Sequence, residues 1–358
     1  MSLEQWVRKA VWQMAGYTPG EQPRGHQSFV KLNTNENPYP PPKVVLDAIA
    51  NEVDGLLRLY PEPSSLAVRE AASRAYGVHP DQVLVGNGSD DLLTMIYRTF
   101  LEPGERVAYP DPTYTLYPAL ATLQGAEAVG VPWLEQGELP VEGLVATQAK
   151  VVIIARPNAP TGHVVSLDLV ARLCRLTSGV VVLDEAYGDF ATDAGWPLLS
   201  RFPNLIIIRT LSKSMCLAGI RLGLGFMPKE MAFQMHKVRD SYNVDRLAQA
   251  AAVAALNHLD AYRPIIDAIV QEREKVILAL RQRGFQVMDS QANFVLATVP
   301  NGRRSGHQWL EELKKEGILV RYFGSDPRLS DKLRITIGTP EQMERLLDAV
   351  DGLLQDNT

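Results

Sequence analysis

The chain carries the stretch Leu205-Ile206-Ile207-Ile208-Arg209-Thr210-Leu211-Ser212-Lys213-Ser214. Its apolar run, bounded by polar residues, is typical of a strand that is buried inside a sheet. Ligands of open α/β sheets bind beyond the carboxyl ends of the strands, so Lys213 is placed where it can meet a small molecule. A single lysine after a strand is more often a solvated surface charge, and only its surroundings can distinguish the two interpretations.

Similar short apolar runs recur along the chain. They predict strands at residues 82–85, 106–108, 128–131, 151–155 and 180–183, with helical patterns between several of them. This alternation predicts an α/β fold, with a large domain in which helices flank a mostly parallel central sheet, and a smaller α+β domain.

The predicted domain limits follow from this pattern. Residues 1–42 are expected to form an N-terminal arm and part of the small domain, and residues 43–270 the large domain. Residues 271–358 are expected to form the small C-terminal domain together with a connecting helix. Amphipathic patterns also predict an N-terminal helix at residues 2–14, a helix at about 229–259, and a long, partly exposed helix at 261–283.

Composition narrows the classes of function. The chain has 358 residues, 46% of them hydrophobic, and a net charge of -5 without a basic run, so neither nucleic acid nor a membrane surface is an expected partner. Two cysteines give no sign of a disulfide framework or a metal site. The N-terminus lacks the apolar core of a signal peptide, and the expected compartment is the cytoplasm.

Three further stretches place reactive or anion-binding groups at predicted strand ends. The turn Gly88-Ser89-Asp90 lies between a strand and a helix, where backbone amides and the helix dipole favour a phosphate, although a plain turn explains it equally well. Asp184 directly follows four apolar residues, where a carboxylate needs a cationic partner unless it caps a helix. Arg221 lies between glycines shortly after Lys213.

Few cofactors use all of these groups together, and pyridoxal 5′-phosphate is one that does. Its aldehyde forms a Schiff base with a lysine such as Lys213, and its ring nitrogen pairs with an aspartate such as Asp184. Its phosphate suits the helix N-terminus, Ser212 and Arg221. The aromatic ring of Tyr114 can cover one face of the cofactor.

The chain resembles the fold-type I pyridoxal-phosphate aminotransferases, and among them the histidinol-phosphate aminotransferases. The resemblance spans nearly the whole chain and depends on several ordered motifs. They are Asn33-Thr34-Asn35-Glu36-Asn37-Pro38-Tyr39, Tyr60-Pro61, Gly86-Asn87-Gly88-Ser89-Asp90, Asp184-Glu185-Ala186-Tyr187, Leu211-Ser212-Lys213 with Arg221, and Leu333-Arg334-Ile335-Thr336-Ile337-Gly338-Thr339.

The resemblance implies a role for each of several residues. Lys213 carries the cofactor and moves protons, Asp184 contacts the ring nitrogen, and Tyr187 lies near the ring 3-hydroxyl. Tyr60 reaches the cofactor phosphate of the other subunit, which implies a homodimer with shared active sites. The large domain is then the cofactor-binding domain.

The sequence departs from the family pattern just before Pro160-Thr161-Gly162. The family usually has an asparagine there that contacts the ring 3-hydroxyl, and this chain has Ala159. Asn158 is expected to substitute as a cofactor-binding residue. Arg156 is interpreted as a surface charge or as a charge that supports the site from behind.

The expected reaction converts L-histidinol phosphate and 2-oxoglutarate to imidazole acetol phosphate and L-glutamate. Both substrates are anions, and the planar guanidinium groups of Arg321 and Arg334 are the expected clamps. Tyr17 and Asn37 complete the expected substrate-binding set.

Two other enzymatic activities remain open from the sequence. They are transamination of an aromatic amino acid and pyridoxal-phosphate-dependent decarboxylation of a phosphorylated amino acid. A ligand-binding part of a transcription regulator is less favoured, because such proteins carry a DNA-binding domain ahead of this fold.

Overall fold

The computed structural model describes residues 3–16, 19–23, 29–133, 138–300, 302 and 304–355. These residues form an α/β fold with a seven-stranded and a five-stranded sheet. The predicted fold class is therefore confirmed. In chain order, the strands are β1 (Val30–Leu32), β2 (Val83–Gly86), β3 (Arg106–Asp111), β4 (Glu127–Pro132), β5 (Val151–Ala155), β6 (Val180–Asp184), β7 (Leu205–Thr210), β8 (Gly223–Phe226), β9 (Gln286–Val287), β10 (Phe294–Thr298), β11 (Ile318–Tyr322) and β12 (Lys332–Thr336).

The α-helices surround the two sheets, and short 3-10 turns join several of the elements. The helices are α1 (Lys9–Gln13), α2 (Lys43–Asn51), α3 (Leu66–Tyr76), α4 (Ser89–Phe100), α5 (Leu116–Gln124), α6 (Val141–Ala146), α7 (Leu167–Leu176), α8 (Trp196–Leu199), α9 (Lys229–His236), α10 (Arg246–Asn257), α11 (Arg263–Gln282), α12 (Gly306–Lys315) and α13 (Pro340–Gln355).

The large sheet has the strand order β2-β8-β7-β6-β5-β3-β4. Strands β3 to β7 run parallel, and β5, β6 and β7 are buried along their whole length. Their side chains alternate between two apolar layers, one shared with α3, α7 and α10 and the other with α4, α5 and α9. Because both faces are covered, the strands appear in the sequence as continuous apolar runs.

Strand β8 was not predicted. It runs antiparallel between β2 and β7 and contains Gly223 and Gly225, which weaken any strand pattern in the sequence. Its close packing requires glycine, since a Cβ on Gly223 would lie 2.6 Å from the carbonyl carbon of Gly88. The segment after Lys213 is therefore short, and the sheet resumes at Gly223, two residues after Arg221.

The small sheet has the order β1-β11-β12-β10-β9. Its apolar face packs against α11, α12 and α13. Strand β1 from the N-terminal part of the chain pairs in parallel with β11, about 290 residues away in sequence, so this part of the chain belongs structurally to the small sheet. Helix α11 contacts both cores through Ile265 and Ile266. The domain limits themselves stay a prediction.

Two helix predictions were wrong in extent. The N-terminal segment forms a 3-10 turn and the five-residue α1 instead of one helix, and Trp6 is exposed. The predicted helix at 229–259 is two helices, α9 and α10, and Asp245 caps the second by accepting a hydrogen bond from the Ala248 amide. In the described part of the chain, no helix is long and apolar enough to cross a membrane.

Candidate active site

A cavity of about 380 Å³ opens at the carboxyl ends of β5, β6 and β7. Parallel strands present their carboxyl ends at one edge, so residues distant in sequence meet there. Most of the predicted site residues line this cavity. They are Ser89, Asp90, Tyr114, Asp184, Tyr187, Ser212, Lys213, Arg221, Arg321 and Arg334.

The turn between β2 and α4 forms one end of the cavity. Gly88 has a left-handed backbone with φ of 84°, and a Cβ there would lie 2.7 Å from Nη2 of Arg221. Only glycine therefore allows the guanidinium to approach this turn. Ser89 and Asp90 begin the 12-residue helix α4, and Arg221 lies 3.6 Å from Asp90. A helix N-terminus beside a guanidinium and the Ser212 hydroxyl suits a phosphate group.

Asp184 is the last residue of β6 and is 6% exposed. Its Oδ2 accepts a hydrogen bond of 2.7 Å from the Tyr117 hydroxyl, and its Oδ1 accepts one of 3.1 Å from the Ala186 amide. Burial raises the pKa of the Asp184 carboxyl to about 6, and these two donors oppose the shift. The negative charges of Asp90 and Glu185 add to the increase in this pKa.

The environment of Asp184 suits a positively charged ligand atom. Both hydrogen-bond donors to the carboxylate are neutral, and the carboxylate borders the cavity. A cation beside a buried carboxylate favours the ionised form that burial disfavours. The protonated ring nitrogen of pyridoxal 5′-phosphate is such a cation. Asp184 and its two neutral hydrogen-bond donors therefore fit this cofactor.

Lys213 follows β7 on the neighbouring strand end and reaches the same cavity. Its Nζ donates to the Thr34 carbonyl at 3.2 Å and lies 5.7 Å from the centroid of the Tyr187 ring. Asn37 lies outside the cavity lining, and its Nδ2 donates to the Lys213 carbonyl at 2.9 Å. Asn37, in the N-terminal arm, therefore helps to hold the backbone at Lys213 in place. The substrate-binding role of Asn37 stays a prediction.

A buried ionic network lies behind the strand ends. The Arg209 Nη2 is 2.7 Å from Glu185 Oε2, and Arg209 also pairs with Asp189. Asp189 accepts a hydrogen bond from the Ser214 hydroxyl next to Lys213. Glu185 follows Asp184, and Ser214 follows Lys213. The network therefore connects the end of β6 with the segment after β7, which carry the two predicted catalytic residues.

Arg156 belongs to the same network. It is 1% exposed, pairs with Asp193, and its Nη1 lies 3.6 Å from Glu185 Oε1. Its Nε donates to the Val165 carbonyl at 2.8 Å. Arg156 is therefore a buried charge that supports the site, and not a surface residue.

Ala159 lines the cavity, whereas Asn158 does not. The Asn158 amide nitrogen donates to the Pro112 carbonyl at 3.1 Å and to Thr161 at 3.0 Å, and its oxygen accepts from Thr113 at 2.8 Å. Both amide hydrogens are thus used inside the surrounding loops. The cofactor-binding role of Asn158 stays a prediction.

Arg321 and Arg334 face each other across β11 and β12, as directly paired residues. Both line the cavity, where Arg321 donates to the Pro19 carbonyl and Arg334 to the Asn33 carbonyl, each at 3.1 Å. Guanidinium groups pair well with phosphate and carboxylate, and those of both arginines reach the cavity. The pair therefore forms a candidate anion site.

Another predicted residue, Tyr60, lies elsewhere. Tyr60 is outside the cavity lining and 79% exposed, and its ring stacks on Tyr242 with a centroid separation of 4.4 Å. Tyr17 lies outside the described residues.

In the part of the chain that the structure describes, no group of three or more His, Cys, Asp or Glu side chains could hold a metal ion.

The sequence interpretation missed two residues of the site. Tyr117 donates to Asp184, and the Asn35 amide donates to the Tyr187 hydroxyl at 2.9 Å. Tyr117 lies near the start of α5, three residues after Tyr114, and this closeness in sequence to a predicted site residue could have indicated a shared site. Asn35 offered no comparable signal beyond its place in the arm motif.

Comparison with known proteins assigns the family. Residues 27–350 match the family "Aminotransferase class I and II". The histidinol-phosphate aminotransferase of Microcystis aeruginosa is 43% identical over 352 residues, which cover 98% of this chain and 99% of the relative. That of Synechocystis is 44% identical over 347 residues, covering 97% and 98%.

A solved structure has the same fold. The histidinol-phosphate aminotransferase of Sinorhizobium meliloti, in complex with pyridoxal 5′-phosphate, aligns with a TM-score of 0.83 and 26% identity. The alignment covers 92% of this chain and 91% of the relative. The chain therefore belongs to the class I and II aminotransferases.

Proposed function

We propose that the protein is a pyridoxal 5′-phosphate-dependent aminotransferase that acts on L-histidinol phosphate and 2-oxoglutarate. Its products are imidazole acetol phosphate and L-glutamate, as histidine biosynthesis requires. One observation carries the proposal: Asp184 and Lys213, at adjacent strand ends, share a cavity with the opposed pair Arg321 and Arg334. The named relatives support the choice of substrate.

The chain's own residues suit each part of the cofactor. Lys213 would hold the cofactor through its aldehyde carbon, and the Asp184 carboxylate would pair with the ring nitrogen. The phosphate suits the start of α4 with Ser212 and Arg221. When bound, the protonated ring draws off the negative charge that develops on the substrate carbon.

The remaining steps belong to protein side chains. Arg321 and Arg334 bind the phosphate of the amino donor or the carboxylate of the acceptor, because guanidinium groups pair with both anions. This contact fixes the substrate Cα beside Lys213. The Lys213 Nζ would be the base that takes the Cα proton.

An assay of glutamate formation tests the proposal. The protein is supplied with 2-oxoglutarate and with either L-histidinol phosphate or L-phenylalanine, and Lys213→Ala serves as the inactive control. We expect a higher kcat/KM for histidinol phosphate, because its phosphate fits the arginine pair. A higher value for phenylalanine would favour the aromatic alternative. Release of CO₂ without glutamate from a phosphorylated amino acid, supplied in place of these donors, would favour a decarboxylase.

We further propose a homodimer in which Tyr60 completes the partner's site. Tyr60 is exposed and lies outside its own cavity, so within one chain it has no access to the cofactor. The neighbouring side chains Val53, Leu56, Leu57 and Leu59 are also exposed, and an apolar patch of this kind suits a second copy of the chain.

We also propose the cytoplasm as the compartment. Both cysteines, Cys174 and Cys216, are free thiols in the structure. Free thiols persist in the reducing cytoplasm. Sedimentation of the purified protein tests the dimer, and cell fractionation tests the compartment.

A further inference from the structure

Tyr117 is a buried tyrosine with a specific acceptor. It lies on α5, is 0% exposed, and donates its hydroxyl hydrogen to Asp184 Oδ2 at 2.7 Å. Its ring packs edge-on against Tyr114, with centroids 5.6 Å apart. The Tyr117 hydroxyl thus reaches the end of β6, where Asp184 accepts its hydrogen bond.

The carboxylate of Asp184 is held at both oxygens. Tyr117 donates to Oδ2, while the Ala186 amide donates to Oδ1. A buried carboxylate with one donor on each oxygen has little freedom to rotate, and its remaining lone pairs can serve a ligand in the cavity. The Ala186 donor is backbone, so Tyr117 supplies the side-chain part of this arrangement.

We propose that Tyr117 is a positioning residue, whose hydroxyl orients the Asp184 carboxylate toward the ring nitrogen of the cofactor. The inference rests on the proposed function, and it deepens the role of Asp184. Burial and the Asp184 charge raise the pKa of the Tyr117 hydroxyl well above its usual range, so this hydroxyl stays a donor. It therefore stabilises the ionised carboxylate without adding a positive charge.

A matched control for Tyr117 exists in the same core. Tyr97 is equally buried, and its hydroxyl donates to the Tyr117 carbonyl at 2.9 Å. Tyr97→Phe and Tyr117→Phe each remove one buried hydroxyl and keep the aromatic ring. Only the second change removes a donor from Asp184.

The test compares two cofactors on the apoprotein. One is pyridoxal 5′-phosphate, and the other is its 1-deaza analogue, in which a C–H group replaces the ring nitrogen. We expect Tyr117→Phe to weaken binding of the natural cofactor about tenfold, the usual effect of losing a hydrogen bond to a charged group. With the analogue, which cannot pair with Asp184, the variant and the wild-type protein should differ by less than about twofold.

The possible results separate the inference from the proposed function. Equal losses with both cofactors, or equal losses in Tyr97→Phe and Tyr117→Phe, would mean that the hydroxyl only supports the fold and would overturn the inference. Unchanged binding in Tyr117→Phe would overturn it as well. If the wild-type protein itself bound neither cofactor, the proposed function would be wrong, and the inference that rests on it would be wrong as well.

Discussion

The two walls of the cavity are built differently. On the large sheet, Asp184 and the turn of Lys213 are held by buried neighbours, including the network around Arg209 and Glu185. On the small sheet, Arg321 and Arg334 are anchored to backbone carbonyls of the N-terminal arm. Under the proposed function, the first wall would hold the groups for chemistry common to all substrates, and the second would select the anion.

This comparison predicts which substrates each substitution affects. A change in the large-sheet wall should impair every substrate to the same degree. A change in the small-sheet wall should impair substrates according to their anionic group. Residue Tyr60 belongs to neither wall and should act only between subunits.

The largest effect on turnover is expected from Asp184→Asn. A neutral amide does not hold the proton on the ring nitrogen, and loss of one such electrostatic group costs about 10²- to 10³-fold in kcat. Steady-state kinetics with histidinol phosphate and with glutamate as donors should show the same loss. A loss confined to one donor would contradict the assignment of Asp184 to the common wall.

Substitution of the arginine pair should separate the substrates. Arg334→Lys keeps the charge but loses the planar fork, and a charge-assisted hydrogen bond is worth about 1.5–3 kcal/mol, or roughly 10- to 150-fold in kcat/KM. Arg321→Lys is the matched comparison, because the two residues face each other across the strands.

We expect Arg334→Lys to weaken both half-reactions and Arg321→Lys to weaken histidinol phosphate more than glutamate. Single-turnover absorbance of the bound cofactor with each donor measures the two half-reactions separately. If Arg334→Lys left both rates unchanged, the anion site would lie elsewhere.

Cofactor binding should depend on the protonation of Asp184. Burial raises its pKa to about 6 in the apoprotein, with Asp90 and Glu185 adding to the increase and Tyr117 opposing it. Above this pH the carboxylate is charged and attracts the ring N–H; below it, the carboxyl group is protonated and the attraction is lost.

The affinity for pyridoxal 5′-phosphate should therefore fall as the pH is lowered through about 6, by at most about tenfold per pH unit. The ratio of wild-type to Asp184→Asn affinity is the quantity to measure, because the cofactor phosphate also titrates. A ratio that stays constant between about pH 5 and 8, a range that spans the pKa of Asp184, would contradict the proposed pairing of Asp184 with the ring nitrogen.

Mixing experiments test the role proposed for Tyr60. Tyr60→Ala and Lys213→Ala subunits should each be inactive as homodimers. Random mixing should restore about a quarter of wild-type activity, because half of the dimers are hybrids and each hybrid has one intact site. Hybrids that remain inactive would argue against a site shared between subunits.

The parts of the site that the sequence predicted are those created by local patterns. Asp184 and Lys213 end apolar runs, and the sheet topology then places them at one edge. Strand β8 was missed because two of its four residues are glycines. In β12, Leu333 and Ile335 lie in the core and Arg334 between them lines the cavity, as the alternation of side chains along a strand requires.

Contacts between residues that are distant in sequence could not be predicted from local patterns. Tyr117 and Asp184 are 67 residues apart, and their hydrogen bond depends on how α5 packs beneath the sheet. The burial of Arg156 likewise depends on its pairing with Glu185 and Asp193, which belong to other segments. Such contacts follow from tertiary packing, which no local periodicity contains.

The most direct test of the account is to identify the lysine that carries the cofactor. The protein is incubated with pyridoxal 5′-phosphate and treated with borohydride, which reduces the carbon–nitrogen bond and makes the attachment permanent. Peptide mapping by mass spectrometry then locates the modified side chain. We expect the cofactor on Lys213, which follows β7 and lines the same cavity as Asp184. Its presence on another lysine would contradict this assignment.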